Sequence, residues 1–227
     1  MAWRCTGMSN IELVDNLKSS HIIKSPLVYQ VMKKIDRNDF CPRYAYEDAP
    51  QSISYGATIS APHMHAYALE HLEKYLQPNM KALDVGSGSG YLTACMAEMV
   101  GSGGKVVGIE HIKELVDLSD RNMKKHHEDW IETGQVEFVV GDGRLGHPSE
   151  APYDCIHVGA AAETKPTDLI AQLKAPGRLF TPVGTSQQSI MIYDKKEDGT
   201  VEERKIMGVM YVPLTDAEKQ RGRDHSY

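Results

Sequence analysis

The glycine-rich segment Gly86-Ser87-Gly88-Ser89-Gly90 is the part of this sequence best suited to holding a small molecule. It follows an apolar stretch typical of a strand and precedes a run with helical periodicity. Glycines at such a turn let the backbone fold tightly and approach a ligand closely. The amides at the start of the next helix favour an anionic group. Taken alone, the segment could also be a tight turn that binds nothing.

The spacing of the glycines narrows the class of ligand. A dinucleotide-binding loop has the pattern G-x-G-x-x-G, which leaves room for a pyrophosphate, whereas here the glycines alternate as G-x-G-x-G. The lysine of a phosphate-binding P-loop is also missing. Asp84 precedes the first glycine by two positions. A carboxylate there suits a cofactor that carries an ammonium and a sulfonium better than one that carries phosphates.

Two further acidic residues follow the next two predicted strands. Glu110 lies about 20 residues past the loop, where nucleoside-binding sheets place an acid on the ribose hydroxyls, although it could be an ordinary acid at a helix start. Asp142, between two glycines, could recognise the amino group of adenine or form an Asx turn. Doubly wound sheets bind ligands at the carboxyl ends of their strands, where all three acids fall.

The elements that precede the loop form an N-terminal zone over residues 1–78. Ser9 and Glu12 form a capping box at the start of a first helix, and Ser25 and Pro26 open a second. A long loop over residues 40–60, rich in Tyr, Pro, Ser and Gly, precedes a third helix that begins near Ser60. Long loops in compact domains are often functional.

The rest of the chain divides into a central and a C-terminal zone. Residues 79–183 alternate strand and helix, closing with a helix at 167–173 and a strand at 178–183. This alternation predicts an α/β fold with a doubly wound, mostly parallel Rossmann-like sheet. Residues 184–227 predict antiparallel edge strands at 189–193, 201–207 and 208–213. We expect the three zones to form a single domain.

The totals exclude several classes of function. A net charge of −6 opposes non-specific binding of nucleic acid. No apolar run is long enough to span a membrane, and no signal peptide is apparent. The four cysteines lack metal-type spacing, and Cys95 and Cys155 look like core residues, so we expect reduced thiols in the cytosol. No repeat suggests an obligate interface, which favours a monomer.

Several stretches carry a resemblance to a known family. Two of them are Ala57-Thr58-Ile59-Ser60-Ala61-Pro62-His63-Met64-His65 and residues 81–90; residues 51–53, 139–143, 156–161 and 210–215 add to them. The sequence resembles class I S-adenosylmethionine methyltransferases and, more narrowly, the protein-L-isoaspartate (D-aspartate) O-methyltransferase family over essentially its whole length. The resemblance implies S-adenosyl-L-methionine as cofactor, S-adenosyl-L-homocysteine as product, and peptides and proteins with isoaspartyl residues as partners.

The resemblance also implies the site. Ser60 matches the active-site serine. Together with the acids and the loop argued above, the expected cofactor-binding residues are Ala57, Thr58, Ile59, Ser60, His65, Asp84, Gly86, Ser87, Gly88, Ser89, Glu110, His111, Asp142, Gly143, Thr215 and Gln220. We expect no metal, because His63 and His65 are two apart at a helix start and point to different faces. His157, within a predicted strand, is expected to be a satisfied interior residue.

The implied chemistry explains why no Ser-His-Asp or paired-carboxylate motif is needed. The free α-carboxylate of an isoaspartyl residue has a pKa of about 3.5 and is already a nucleophile at neutral pH. Methylation would be followed by collapse to a succinimide, which begins repair. Alternatives are a methyltransferase acting on another carboxylic acid or on RNA, and a non-catalytic cofactor-binding module. From residue type alone, Ser60 could simply be the N-cap of the third helix.

Overall fold

The computed structural model describes residues 5–221, and its architecture is a twisted sheet covered by helices. The helices are α1 Asn10–Ser19, α2 Pro26–Lys34, α3 Pro62–Leu72, α4 Tyr91–Val100, α5 Lys113–Lys124, α6 Glu128–Glu132, α7 Thr167–Ala171 and α8 Ala217–Arg221. The strands are β1 Gln51–Ser52, β2 Thr58–Ile59, β3 Lys81–Val85, β4 Lys105–Glu110, β5 Val136–Val140, β6 Tyr153–Val158, β7 Leu173–Val183, β8 Gln188–Lys195 and β9 Val201–Val209.

Seven strands form the main sheet in the order β5-β4-β3-β6-β7-β8-β9. The first five of these are parallel to one another, and β8 and β9 are antiparallel. The predicted mostly parallel sheet with antiparallel edge strands is therefore confirmed. The strand order reverses between β3 and β6, so a crevice opens at the carboxyl ends of these two strands. A separate two-stranded sheet, β1 with β2, lies in the predicted loop over residues 40–60.

The central strands are buried on both faces, as parallel strands covered by helices must be. Alternate residues of β3 and β4 enter different cores: Ala82 and Val106 pack in one, whereas Leu83 and Val107 pack in the other. The first core also holds the apolar faces of α1 to α4. The four cysteines are buried and free. The carboxyl ends of the strands are thus presented on a rigid support.

Most of the predicted helix starts agree with the structure. The Ser25 hydroxyl accepts from the amides of Leu27 and Val28, so Ser25 is the N-cap of α2. The Ser9 hydroxyl accepts from the Glu12 amide, but the Glu12 carboxylate accepts from the amide of Met8 rather than that of Ser9. Only half of the predicted capping box therefore forms.

The predicted strand over residues 208–213 is wrong. Strand β9 ends at Val209, which pairs with Gln188, the first residue of β8, so no neighbouring strand continues the ladder. Instead, the Gln188 side chain accepts from the Tyr211 amide at 2.6 Å and donates to the Tyr211 carbonyl at 3.0 Å. The chain then crosses to a single parallel bridge between Ala161 and Pro213. The Gln188 side chain thus makes the hydrogen bonds to Tyr211 that a neighbouring strand would otherwise make.

The boundary between the predicted helix at 167–173 and strand at 178–183 is also shifted. Helix α7 ends at Ala171 and β7 begins at Leu173. The strand is longer because Leu173 already pairs with Tyr153 of β6, and Gly177 pairs with Lys195 of β8. Within residues 5–221, no helix has the length and apolar composition required to cross a membrane.

Candidate active site

The glycine loop makes the turn from β3 into α4 with backbone angles that favour glycine. Gly86, Gly88 and Gly90 have φ of 75°, 55° and 91°. The amide of Gly86 donates to the carbonyl of Ile109 at 2.8 Å, which ties the loop to the end of β4. A Cβ on Gly88 would lie 3.1 Å from Cδ1 of Ile53, in the loop that carries β1 and β2. The glycines therefore allow both the turn and the close approach of that loop.

Two narrow clefts meet at this loop. The first, which we call the Glu110 cleft, is lined by Ala57, Thr58, Gly86, Gly88, Ile109, Glu110, His111, Gly143, Gly159, Ala160, Val212, Pro213, Leu214, Thr215 and Gln220. The second, the Asp84 cleft, is lined by Thr58, Ile59, Ser60, His65, Asp84, Gly86, Ser87, Gly88, Ser89, Tyr91, Leu92, His157 and Gly159. Every predicted cofactor residue except Asp142 lines one of the two.

Glu110 is buried at the end of β4, and its carboxylate accepts from the amides of His111 and Ile112 at 2.8 and 3.2 Å. Burial raises the pKa of Glu110, and these backbone hydrogen bonds and the nearby His111 side chain oppose that rise. A buried carboxylate held in this way can accept from a hydroxyl of a ligand in the cleft. This arrangement suits the predicted ribose contact.

Helix α8 closes the far side of the Glu110 cleft through Gln220. The side-chain oxygen of Gln220 lies 2.8 Å from Nε2 of His111, and its side-chain nitrogen donates to the carbonyl of Tyr55 at 3.2 Å. Arg221 adds an exposed ion pair with Glu114 of α5. Gln220 thus joins three segments that are far apart in sequence around one cleft.

Asp142 differs from the other predicted residues because its side chain faces Arg144. Its carboxylate accepts from the Arg144 amide at 3.0 Å, which is the Asx-type turn, and from the Arg144 guanidinium at 2.7 Å. These hydrogen bonds lower the pKa of Asp142. Arg144 also pairs with Asp216, just before α8. Gly143, rather than Asp142, lines the cleft.

Asp84 lies at the floor of its cleft and is fully committed to neighbouring side chains. One carboxylate oxygen lies 2.9 Å from Nδ1 of His157, and the other accepts from the hydroxyl of Thr93 at 2.6 Å. His157 is buried and hydrogen-bonded, as predicted for an interior residue. However, it also lines the Asp84 cleft, which the sequence reasoning did not anticipate.

Ser60 is not the N-cap of α3. The N-cap position is Ala61, which provides no side-chain cap, and the amide of His63 is instead accepted by the carboxylate of Asp48 at 2.9 Å. Because Asp48 supplies the cap from the preceding loop, the Ser60 hydroxyl is available for other contacts. The Ser60 carbonyl accepts from the Arg37 guanidinium at 2.8 Å.

The Ser60 hydroxyl contacts the phenol of Tyr211. Burial raises the pKa of Tyr211 to about 12, and its hydrogen bond with Ser60 opposes that rise. Tyr211 is held in place by the Gln188 side chain, which bonds both its amide and its carbonyl. The two hydroxyls therefore lie close together and are both uncharged at neutral pH.

A larger cavity opens on the other side of Ser60. Its volume is about 700 Å³, and its wall is mostly apolar, with three methionines, so we call it the methionine-lined cavity. It is lined by Pro50, Thr58, Ser60, Ala61, His63, Met64, Gly159, Met207, Gly208, Val209, Met210, Tyr211, Val212 and Pro213. Ser60 lines both this cavity and the Asp84 cleft, and Thr58 and Gly159 line all three spaces.

Besides His157, the sequence reasoning missed Gly159, Tyr211, Arg37 and Asp48 as residues of the site. Gly159 follows β6, so the rule that singled out the acids after β3, β4 and β5 could have found it. Tyr211 lies in a stretch that carried the resemblance, but nothing in its spacing predicted a contact with Ser60. Arg37 and Asp48 gave no sequence signal, because their contacts are made across loops.

The described residues contain no cluster of three or more His, Cys, Asp or Glu side chains able to hold a metal ion. In particular, His63 and His65 make separate contacts, with Asp48 and Arg37 respectively. The two histidines therefore do not share a ligand-binding site.

Comparison with known proteins agrees with this geometry. A profile of the family "Protein-L-isoaspartate(D-aspartate) O-methyltransferase (PCMT)" matches residues 8–219. Protein-L-isoaspartate O-methyltransferase of Caenorhabditis elegans is 50% identical over 99% of this chain and 100% of its own length. The Triticum aestivum protein of the same name is 51% identical over 93% of each chain.

A solved structure shows the same fold. The crystal structure of a candidate protein-L-isoaspartate O-methyltransferase from Plasmodium falciparum, in complex with S-adenosyl-L-homocysteine, is 33% identical. It superposes with a TM-score of 0.87 over 92% of this chain and 99% of its own. With the fold, the glycine turn and the family profile in agreement, this chain belongs to the protein-L-isoaspartate (D-aspartate) O-methyltransferase family.

Proposed function

We propose that this chain transfers the methyl group of S-adenosylmethionine to the free α-carboxylate of isoaspartyl residues in peptides and proteins, and also to the free side-chain carboxylate of D-aspartyl residues. The observation that carries the proposal is the position of Ser60, which forms part of the wall between the Asp84 cleft and the methionine-lined cavity. A group bound in the cleft and a group bound in the cavity would meet at this residue. Ser60 is the proposed catalytic residue.

The residues of the two clefts fit the cofactor. The glycine turn offers backbone close to a ligand, Glu110 offers a buried acceptor to the ribose, and the buried hydroxyl of Ser87 has no hydrogen-bond partner. An orphaned buried hydroxyl is expected where a ligand completes the site. Both oxygens of Asp142 already accept from Arg144, so we place the adenine against residues 142–143 with Arg144 fixing that turn.

S-adenosylmethionine supplies an activated methyl group, and the protein therefore has to align the acceptor rather than activate it. An α-carboxylate is ionised at neutral pH, so no general base is required. Holding the oxygen in line with the methyl group could supply up to about 7–11 kcal/mol of the barrier. The hydroxyls of Ser60 and Tyr211 are the groups placed to hold it.

Uncharged donors suit this reaction better than an arginine clamp. The carboxylate loses charge as it is methylated, so a cation bound to it would stabilise the ground state more than the transition state. Arg37, the cation nearest to Ser60 in the site described above, is directed at the Ser60 carbonyl and at His65. The hydroxyl pair therefore orients the acceptor without neutralising it.

The methionine-lined cavity is the proposed peptide site. Its volume is within the range of small-molecule and peptide pockets, and the flexible side chains of Met64, Met207 and Met210 can adapt to different neighbours of the isoaspartyl residue. The backbone of residues 210–213 continues beyond the end of β9, and we propose that an extended peptide pairs with it and with the loop over residues 40–60. The product ester would then collapse to a succinimide, which begins repair. We further infer a monomeric, cytosolic, single-domain enzyme without a nucleic-acid or membrane partner.

One assay tests the proposed activity. Purified protein is incubated with methyl-labelled S-adenosylmethionine and either an isoaspartyl peptide, its aspartyl twin or the D-aspartyl peptide. We expect base-labile label in the isoaspartyl peptide and none in the aspartyl twin, because only the former presents a free α-carboxylate at this position. Label in none of the three peptides, with the cofactor bound, would show a cofactor-binding module instead.

A further inference from the structure

A buried arginine lies behind the Asp84 cleft without a carboxylate partner. Arg37 begins the 3₁₀ turn Arg37–Asp39 after α2, and its side chain is 0% exposed. In the part of the chain that the structure describes, no carboxylate forms an ion pair with its guanidinium within 4.0 Å. A guanidinium is not deprotonated in proteins, and an unpaired buried charge is costly. The buried charge of Arg37 is therefore expected to be balanced by a group outside the protein.

The contacts of Arg37 reach two residues of the active site. Nη2 donates to the Ser60 carbonyl at 2.8 Å, and Nη1 lies 3.2 Å from Nδ1 of His65. The Tyr91 ring centroid is 5.5 Å from the guanidinium carbon, and Nε has no hydrogen-bond partner. The charge is thus held by a carbonyl, an imidazole and an aromatic face, none of which neutralises it.

The contact with His65 decides where that histidine carries its proton. Arginine has donors and no acceptor, so Nδ1 of His65 must accept, and the ring proton must be on Nε2. Burial lowers the pKa of His65 well below its usual value, and the Arg37 charge lowers it further. His65 is therefore a neutral imidazole that donates through Nε2.

That donor belongs to the wall of the Asp84 cleft. His65 lines the cleft together with Ser87 and Ser89, and the buried Ser87 hydroxyl is orphaned. The Glu110 cleft offers the acceptor for the ribose, so the Asp84 cleft is left for the methionine part of the cofactor. That part ends in a carboxylate, which accepts hydrogen bonds. Its negative charge would balance the positive charge of Arg37, which has no carboxylate partner among the residues that the structure describes.

We propose that Arg37 is the positioning residue for the cofactor's carboxylate, because it fixes His65 as a donor through Nε2 and supplies the positive charge that the carboxylate balances. The inference rests on the placement of the cofactor's methionine part in the Asp84 cleft. Arg37 itself is not among the residues that line that cleft, so it acts through His65 and through the Ser60 carbonyl.

Binding of two ligands to the purified protein tests the proposal without an activity assay. The ligands are S-adenosylhomocysteine and S-adenosyl-3-thiopropylamine, which is the same molecule without its carboxylate. In Arg37→Met we expect the calorimetric affinity for the first to fall by about tenfold or more, the size of a charge-assisted hydrogen bond, while the second changes by less than about threefold. Arg37→Lys, which keeps the charge, should lie between. An equal fall for both ligands would overturn the proposal.

The histidine proton can be observed directly in the unaltered protein. In ¹⁵N-labelled protein we expect the His65 ring to be neutral, with its proton on Nε2, between pH 6 and 8. A proton on Nδ1, or an imidazolium, would overturn the proposal even if the Arg37 variants fail to fold. It would leave the proposed methyl transfer intact, because the isoaspartyl peptide assay reports that separately.

Arg178→Met provides the matched control. Arg178 also donates to a backbone carbonyl, that of His71 at 2.7 Å, and lies over the Tyr75 ring. Unlike Arg37, it pairs with a carboxylate, that of Asp194, and it is not among the residues that line the clefts. We expect this variant to lower thermal stability while the ratio of the two affinities stays as in the unaltered protein. A ratio that changes as much as in Arg37→Met would show a general effect of losing an arginine from the interior of the fold.

Discussion

The first turn of α3 carries two histidines that are two residues apart and have opposite surroundings. Nδ1 of His63 lies 2.8 Å from the carboxylate of Asp48, which is an acceptor when ionised, so this nitrogen carries a proton. Nδ1 of His65 faces the guanidinium of Arg37 and must accept. His63 lines the methionine-lined cavity, whereas His65 lines the Asp84 cleft.

This difference shows that the partner, and not the residue type, decides what a histidine can offer a ligand. A carboxylate behind the ring and a guanidinium behind the ring leave opposite protonation states at Nδ1. Both partners come from the segment before α3, and each also holds the backbone: Asp48 caps the helix through the His63 amide, and Arg37 binds the Ser60 carbonyl. Ser60 lies between the two sides.

The largest effect is expected at that dividing residue. Ser60→Ala removes the donor that we propose orients the acceptor oxygen, and we expect kcat to fall by roughly a hundredfold, as when other positioned donors are removed from active sites. The affinity for S-adenosylhomocysteine should change by less than about threefold, since the Ser60 carbonyl contact with Arg37 is retained. Turnover equal to that of the unaltered protein would remove Ser60 from the catalytic role.

A crossed pair of substitutions tests the comparison itself. His65→Gln should weaken S-adenosylhomocysteine binding by about tenfold with little change in peptide KM, because we propose that the Nε2 donor of His65 faces the cofactor. His63→Gln should raise peptide KM by several-fold and leave the cofactor affinity unchanged. Calorimetry and steady-state kinetics on both variants would detect the crossing. If each variant changed the S-adenosylhomocysteine affinity and the peptide KM equally, the Asp84 cleft and the methionine-lined cavity would not bind separate ligands.

Tyr211→Phe should have a smaller effect on the same step as Ser60→Ala. The substitution removes the phenol that contacts the Ser60 hydroxyl and keeps the ring in the wall of the cavity. We expect kcat to fall by about three- to tenfold, the value of one hydrogen bond, with cofactor affinity unchanged. Tyr44→Phe, at a residue that is 66% exposed and outside the site, is the control. A Tyr211→Phe enzyme with full kcat would leave Ser60 as the only orienting hydroxyl in our proposal.

The smallest effect is expected in the pH dependence of the free energy of unfolding, through His65 in the wall of the Asp84 cleft. Burial lowers the pKa of His65 below that of the unfolded chain, so the unfolded state binds the proton first as the pH falls. The contribution of His65 is fully present above about pH 6.5 and is lost as the pH falls toward its lower folded pKa. Denaturant unfolding between pH 7 and 5 should show a shallower loss of stability in His65→Gln. An identical slope in both proteins would contradict a buried neutral His65.

Much of the Glu110 and Asp84 clefts could be predicted from the sequence, because the signals for their residues are local. The glycine turn, with positive φ at Gly86, Gly88 and Gly90, follows from residue type at a strand-to-helix junction. Glu110 is placed by the carboxyl end of its own strand. Asp142 is the exception, since a short-range contact with Arg144 captures its carboxylate.

The surroundings of Ser60 and the methionine-lined cavity could not be predicted in this way, because they depend on contacts between segments that are distant in sequence. A Ser two residues before a Pro near a helix start can be an N-cap, but here Ala61 holds that position and Asp48 accepts from the His63 amide, which no spacing in the sequence indicates. The strand predicted over residues 208–213 has the right residue types, yet β8 begins at Gln188, opposite Val209, so residues 210–213 have no residue of β8 to pair with. This irregular backbone beyond β9 is part of the proposed peptide site.

The sequence by itself determined the strand and helix alternation, the turn chemistry and the family, because these depend on residue types at fixed short separations. The tertiary structure alone decided that Arg37 and Asp48 stand behind His65 and His63, that Tyr211 meets Ser60, and that Ser60 lines two spaces at once. The physical reason is that a buried polar group takes whichever partner packing brings within about 3 Å, and packing joins segments that sequence periodicity does not relate.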